Sequence, residues 1–317
     1  MTPKMPHFPS IHHLSDVVRR DGCKTSREAK LQSDSHLLGD SVKLIRMGEA
    51  LRVEREGKVA HVVLLGPGKG NAMGPEFWRE CPAVFAELDG DPSIAAVIVR
   101  GNGEHFSYGL DLMRMAQEMG SLVAGPQMAV ERKRLLAFIE RLQSAFNNIE
   151  ACRKPVIAAI SGWCIGGGVD MISAADIRLA SSDARFSVRE VKVGMVADLG
   201  SLQRLPRIIG QGHTRELSFT GRNIDAQRAQ RIGLVNEVYE SPDKLLEGAR
   251  ALANEIADNS PLVVEGIKSV LNAVDAKAVR EGLHEVALYN TAFLQSNDLG
   301  EAFAAFAERR PPRYSGT

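Results

Sequence analysis

The residues of this sequence most able to do chemistry gather around one glycine turn. Ser161-Gly-Trp-Cys-Ile-Gly166-Gly167-Gly168-Val-Asp170 follows an apolar run, Pro155-Val-Ile-Ala-Ala-Ile, and leads into Val169-Asp-Met-Ile-Ser-Ala-Ala. A strand entering glycines and then a helix leaves N–H groups at the helix start with no side chains in the way. Such a site suits negative charge, whether a phosphate or a developing oxyanion. A P-loop needs Gly-Lys-Ser/Thr at this point, and the spacing is not GxGxxG, so neither nucleotide motif is met. Close helix–strand packing is the alternative use of the glycines.

Three acids narrow the choice. Asp170 falls in the first turn after the glycines, Glu190 in Ser187-Val-Arg-Glu-Val-Lys-Val-Gly, and Asp198 in Met195-Val-Ala-Asp-Leu-Gly. Val196, Ala197 and Leu199 predict apolar surroundings for Asp198, which raise a carboxyl's pKa into the range useful for acid–base work near neutrality. Any one of these acids alone reads as a solvated or capping carboxylate; the combination points to proton transfer. A second loop, His105-Phe-Ser-Tyr108-Gly109-Leu110-Asp111-Leu112, follows the apolar run at Ala95 and can bring another backbone N–H to the glycine turn. Two converging N–H groups make an oxyanion hole. Cys164 has no partner histidine and reads as a small buried filler. Asp111 reads as the cap of the next helix.

These residues need elements to hold them. Leu51-Arg-Val-Glu-Arg-Glu alternates and pairs with Val59 to Leu65 around Gly57 as a hairpin. Pro75 to Leu88 has helical spacing, and Ala95 to Val99 is a strand apolar on both faces. A helix is expected over Pro126 to Ile149, with Leu135, Phe138, Ile139, Leu142 and Phe146 on one stripe. Ile177–Ala180, Ala184–Val188 and Val235–Tyr239 read as short strands. Ser241-Pro242 and Ser260-Pro261 start two late helices. Strands alternating with helices, followed by a helical tail, make an α/β layered chain. The expected division is an arm at 1–47, a core at 48–250 and a helical region at 251–317.

Charge and composition remove other classes. Basic and acidic residues number 39 each, so no net field draws in a polyanion, and nucleic acid is not an expected partner. The longest apolar run, Val156 to Val169, is too short to span a bilayer. Cys23, Cys81, Cys152 and Cys164 show no disulfide framework or CxxC pair, as in a reduced chain. The arm carries His7, His12, His13 and His36, but no second ligand cluster at zinc spacing, so no metal is expected. The arm has no secretory h-region, and its Asp16, Asp21, Glu28, Asp34 and Asp40 count against a transit peptide. Met47 offers an alternative start, and Ser315-Gly-Thr does not match a peroxisomal address. With an alanine- and arginine-rich composition poor in aromatics, the expectation is a cytoplasmic, bacterial protein.

From about residue 50 to 313 the chain resembles the crotonase superfamily, the enoyl-CoA hydratases and isomerases. The resemblance is carried by Phe106-Ser-Tyr-Gly-Leu-Asp-Leu, Lys154-Pro-Val-Ile-Ala-Ala-Ile-Ser-Gly, Cys164-Ile-Gly-Gly-Gly-Val-Asp, Ala175-Asp-Ile-Arg and Gly233-Leu-Val. It implies a spiral of ββα units with a C-terminal helical trimerisation region, and a homotrimer or a hexamer built as paired trimers. It also implies an acyl-CoA thioester whose carbonyl sits between the N–H groups of Leu110 and Gly167. Tyr108, Gly109, Asp111 and Gly166 then fall beside the substrate. Within the superfamily, Asp170, Glu190 and Asp198 together are similar to Δ3,5-Δ2,4-dienoyl-CoA isomerase of fatty-acid β-oxidation. Hydratases carry two glutamates where this chain has Asp170 and Glu190. Leu110 fits the isomerase, whereas Tyr108 stands where a small residue is usual. The implied roles are proton transfer for Glu190 and Asp198, and positioning or charge tuning for Asp170. No metal or redox cofactor is implied, since CoA enters as part of the substrate. Arg132, Lys133 and Arg134 read as a wet helix face, and His105 as a solvated loop residue, with CoA contact as the alternative for each. An enoyl-CoA hydratase and a non-catalytic binding member of the fold are the competing readings.

Overall fold

The computed structural model describes residues 42–66, 70–123 and 128–317. The histidine-bearing arm up to residue 41 lies outside the described residues. β1 (Val42–Met47) pairs antiparallel with β2 (Leu51–Glu56), so the sheet already begins within the expected arm. β2 pairs with β3 (Val59–Leu64) around Gly57, whose φ of 58° is the left-handed backbone a tight turn needs. α1 (Pro75–Gly90) crosses to β4 (Ala96–Gly101), parallel to β3. α2 (Leu112–Val123) and α3 (Ala129–Ala151) precede β5 (Val156–Ile160). β6 (Trp163–Ile165) runs into α4 (Gly167–Ser173), then come β7 (Ile177–Ser181), β8 (Arg185–Ser187) and a 3-10 turn, Glu190–Val193. α5 (Ser201–Ile208), α6 (Gly210–Thr220), β9 (Ile224–Asp225), α7 (Ala226–Arg231) and β10 (Glu237–Tyr239) follow. Four helices close the chain: α8 (Pro242–Ala257), α9 (Pro261–Ala273), α10 (Ala276–Phe293) and α11 (Asn297–Glu308).

The main sheet has the order β1-β2-β3-β4-β5-β7-β10, and β6, β8 and β9 form a second, three-stranded sheet. Every residue of β3 and β5 is buried. That is why both read as unbroken apolar runs rather than alternating ones: helices cover both faces. On one face Phe77 and Trp78 of α1 pack edge-on with Phe146 of α3. On the other, Leu245, Ala249 and Ala253 of α8 lie on Val59, Ile98, Ile157 and Leu179. α8 therefore runs through residue 250 as part of the cover of the sheet, its small alanines allowing close approach. Ser241 caps it, accepting from the Lys244 N–H, whereas Ser260 stands at the N-cap of α9 without a side-chain capping bond.

The C-terminal helices return to the core. Leu135 and Ile139 of α3 pack with Ala287, Leu294 and Leu299 around α10 and α11. Buried Lys268 of α9 donates to Asp176 at 2.7 Å, and Lys154 to Glu265 at 2.6 Å. These ion pairs tie α9 to the starts of β5 and β7, the strands on either side of the glycine turn in the chain.

Candidate active site

The two loops singled out by their glycines lie side by side. Ser107 bridges to Cys164: its N–H donates to the Trp163 carbonyl, and its own carbonyl accepts from Ile165. Asn71, buried and held at φ 52°, fixes the loop by donating its side-chain amide to the carbonyls of Asn102, His105 and Phe106. The turn that follows brings Leu110 onto Gly167. A Cβ placed on Gly167 would stand 3.6 Å from the Leu110 nitrogen. A Cβ on Gly109 would stand 2.6 Å from the Ile165 oxygen and 2.8 Å from the Gly167 nitrogen. Gly109 at φ 78° is thus required both by conformation and by space, and Gly166 at φ 54° by conformation. The neighbouring amides are used: Gly109 donates to Ser107 Oγ, Asp111 to Met73, and Gly166 to Ser187. The Leu110 and Gly167 N–H groups have no acceptor among the described residues. Two adjacent, unspent donors, one at a helix start, are the arrangement that stabilises an oxyanion.

The three acids converge on the same place by different routes. Asp170, in the first turn of α4, is 1% exposed, and its Oδ1 accepts from the Ser201 N–H at 2.6 Å at the start of α5. Glu190 opens the 3-10 turn, with Oε1 3.4 Å from where a Cβ on Gly166 would stand. The Asp170 and Glu190 carboxyls face each other, and Asp170 Oδ2 and Glu190 Oε2 are buried with no hydrogen-bond partner among the described residues. Two facing carboxyls with no donor between them share a proton, so they titrate as one dyad. Burial raises both, and the Asp170 charge lifts Glu190 well above the ordinary carboxyl range.

Asp198 comes from the segment before α5. Its Oδ2 accepts from Asn290 Nδ2 at 2.7 Å, and its carbonyl accepts from Gln143 Nε2 at 2.8 Å. Burial pushes it up to about 7, with Asn290 opposing and the Asp170 charge adding. Its chain neighbours Ala197 and Leu199 are buried, but Asp198 itself is half-buried and meets the amides of Asn290 and Gln143 rather than the purely apolar setting expected. A group whose folded pKa lies above its unfolded 3.8 stabilises the fold fully below that value, and loses the contribution as pH rises through about 7. Asp198→Asn is therefore expected to melt higher than wild type at pH 8 and to lose that advantage at pH 4. Calorimetric melting at the two pH values checks this, at roughly 2–4 °C for each kcal/mol.

A cavity of about 710 Å³ opens over the turn, lined by Tyr108, Leu110, Asp111, Trp163, Arg189 and Lys192 among others. Tyr108 stacks on His105 with ring centroids 5.1 Å apart and covers Gly70. Asp111 also caps α2, accepting from the Arg114 N–H. Behind Leu110, a smaller cavity of about 40 Å³ is wholly apolar, with Met115, Met119, Met195, Leu294 and Phe303 in its wall. Cys164 is fully buried, and burial holds its thiol well above the ordinary range, as befits a filler. Arg132, Lys133 and Arg134 are exposed on α3, as expected of a wet face. Among the described residues no three His, Cys, Asp or Glu are grouped to hold a metal ion.

Asn290, Gln143, Ser201 and Asn71 escape a sequence reading built on acids and glycines. Asn290 had a signal: it stands in the stripe Val279, Leu283, Ala287, Asn290, Leu294, where an apolar residue is expected and a buried amide calls for a partner.

The enoyl-CoA hydratase/isomerase family model matches residues 54–317. The chain belongs to this family. A mitochondrial Δ(3,5)-Δ(2,4)-dienoyl-CoA isomerase of Dictyostelium discoideum is 46% identical over 83% of this chain and 90% of its own. The peroxisomal enzyme of that activity from Arabidopsis thaliana is 40% identical over 84% and 96%. A short-chain-enoyl-CoA hydratase of Clostridium acetobutylicum is 36% identical over 81% and 94%. Among solved structures, an enoyl-CoA hydratase/isomerase from Pseudoalteromonas atlantica T6c superposes with a TM-score of 0.73 at 26% identity, covering 84% of this chain and all of that one. The family accounts for the crotonase-like α/β core and for the helical tail. These relatives overturn one expectation. The two dienoyl-CoA isomerases are eukaryotic and named for mitochondrion and peroxisome, against the cytoplasmic, bacterial setting read from composition. Compartment is specified by short address segments read by receptors, and bulk composition is not coupled to them.

Proposed function

We propose that this family member is a Δ3,5-Δ2,4-dienoyl-CoA isomerase of fatty-acid β-oxidation. The observation that carries the reading is a third, half-buried carboxyl, Asp198, added to the Asp170–Glu190 dyad below two unspent N–H groups. The relatives sharing 46% and 40% identity bear that activity in their names, against 36% for the hydratase. CoA is part of the substrate, and no metal or redox cofactor enters the scheme.

The thioester oxygen accepts from Leu110 and Gly167, which acidifies the C2 protons. Glu190, seated against the turn, takes one of them through Oε1 from the form of the dyad in which the shared proton has passed to Asp170. The C2–H electron pair first forms C1–C2 as the carbonyl pair moves onto the thioester oxygen, giving the dienolate; as the oxygen pair returns, C1–C2 becomes the C2–C3 double bond and the C3–C4 pair moves to C4–C5. The C5–C6 pair takes a proton from Asp198 at C6. Atoms and charge balance, with one proton moved from C2 to C6. The apolar wall behind Leu110 keeps water from the dienolate, favouring isomerisation over hydration.

The test compares 3,5-dienoyl-CoA, followed by absorbance of the 2,4-dienoyl product, with crotonyl-CoA, followed by loss of its enoyl absorbance. Fast isomerisation with slow hydration is expected. The reverse ranking makes the chain a hydratase, and silence on both leaves a non-catalytic member of the fold. Asp198 must hold its proton, so kcat/KM is expected to fall as pH rises through about 7.

The working unit in this reading is a homotrimer, or a hexamer of paired trimers. The exposed apolar residues of α9 support it: Leu262 is 82%, Val270 69% and Leu271 65% exposed.

A further inference from the structure

We infer that Asn290 is a positioning residue for the isomerisation: its side-chain amide dictates which oxygen of Asp198 carries the proton and where that oxygen points. The inference rests on the isomerase reading and deepens it.

Asn290 is 2% exposed, in the last turn of α10. Its Nδ2 donates to the Val196 carbonyl at 2.9 Å and to Asp198 Oδ2 at 2.7 Å. The Val196 carbonyl can only accept, which fixes the orientation of the amide: both N–H groups face the segment carrying Asp198. An N–H pointing at Oδ2 bonds more strongly to a carbonyl-type oxygen than to a hydroxyl, so it favours Oδ2 as the carbonyl of the protonated acid. When Asp198 is protonated, the proton is therefore on Oδ1, the oxygen Asn290 does not hold. A carboxylic acid free to rotate would divide its proton between two oxygens, only one of which could face C6.

The segment itself is held from two helices. Gln143 of α3 donates one side-chain amide nitrogen to the Asp198 carbonyl and, at 2.9 Å, to the Leu283 carbonyl of α10. Gln143 thus fixes the backbone of the acid, and Asn290 fixes its carboxyl. The titratable groups bearing on Asp198 are Asp170 of α4 and Glu190 of the 3-10 turn, both anionic when ionised. α3 and α10 present neutral amides, so Asn290 supplies a donor where the other neighbours supply repulsion.

The test uses full-length Asn290→Ala and Asn290→Asp beside wild type and Asp198→Asn, with 3,5-dienoyl-CoA as substrate. Asn290→Asp keeps the volume of the side chain and replaces its N–H donors, so it decides the matter if Asn290→Ala fails to fold. We expect kcat to fall about 100-fold with KM unchanged, since a misplaced reacting group costs about that factor. The alkaline limb of kcat/KM is expected to move to higher pH, because an N–H donor to the carboxylate has been removed. A loss of activity with the limb unmoved would assign Asn290 to packing alone, and full activity would also overturn the inference. If wild type leaves the diene unchanged, it is the isomerase reading that fails. If Asp198→Asn is inactive while both Asn290 variants are normal, only the positioning role fails.

Discussion

Asp198→Asn is expected to lower diene isomerisation by about 100- to 10,000-fold in kcat, the range that general acid–base groups supply. The amide keeps the shape of the carboxyl and can still accept from Asn290, so the site stays assembled. What is lost is the transferable proton. KM for the dienoyl-CoA is expected to stay near wild type, because the two N–H groups at Leu110 and Gly167 and the cavity around them are untouched. The same variant is expected to be more stable than wild type above pH 7, where wild type holds a half-buried, ionised carboxyl near Asp170 and Glu190. Lower activity with higher stability separates a catalytic acid from a structural one, since removal of a structural group lowers both. Single-turnover assays at pH 6 to 9, with melting curves at the same pH values, check the pair. A variant that isomerises at the wild-type rate would remove Asp198 from the mechanism.

Gly109→Ala is expected to cost about 100- to 1,000-fold in kcat by a different route, that of a lost oxyanion donor. The new methyl would stand 2.6 Å from the Ile165 oxygen and 2.8 Å from the Gly167 nitrogen, both rigid backbone atoms. The two loops must separate, and with them the Leu110 and Gly167 N–H groups. The backbone at φ 78° adds roughly 1–2 kcal/mol of strain for a residue with a Cβ. Because the oxyanion is common to isomerisation and hydration, every acyl-CoA reaction of the protein is expected to fall together. That contrasts with Asp198→Asn, which is selective for the diene. Parallel assays of both variants on 3,5-dienoyl-CoA and crotonyl-CoA distinguish a shared electrostatic site from a reaction-specific acid. Unchanged rates in Gly109→Ala would mean that the carbonyl is held elsewhere.

The apolar runs at Ala96–Val99 and Val156–Ile160 were legible as doubly covered strands because a residue buried on both faces has no polar alternative. The hairpin at Gly57 and the α8 start at Ser241-Pro242 were equally plain, since local backbone chemistry alone decides them. For α2 the residues mark only the start, through its cap Asp111, and the extent of the helix comes from the structure. The compartment was misjudged, because composition carries no address.

The sequence by itself determined the parts of the site that are local. Three glycines at a strand-to-helix turn, a second glycine at position 109 and the identity of the three acids follow from residue type and spacing. Only the tertiary structure decided how those acids differ. Asp170 meets Ser201 from α5, Glu190 meets Asp170, and Asp198 meets an amide 92 residues later in the chain. A carboxyl's proton affinity is set by what desolvates it and what faces it, and those neighbours are brought together by packing from distant segments. The same residues spread along an unfolded chain would be three ordinary carboxylates.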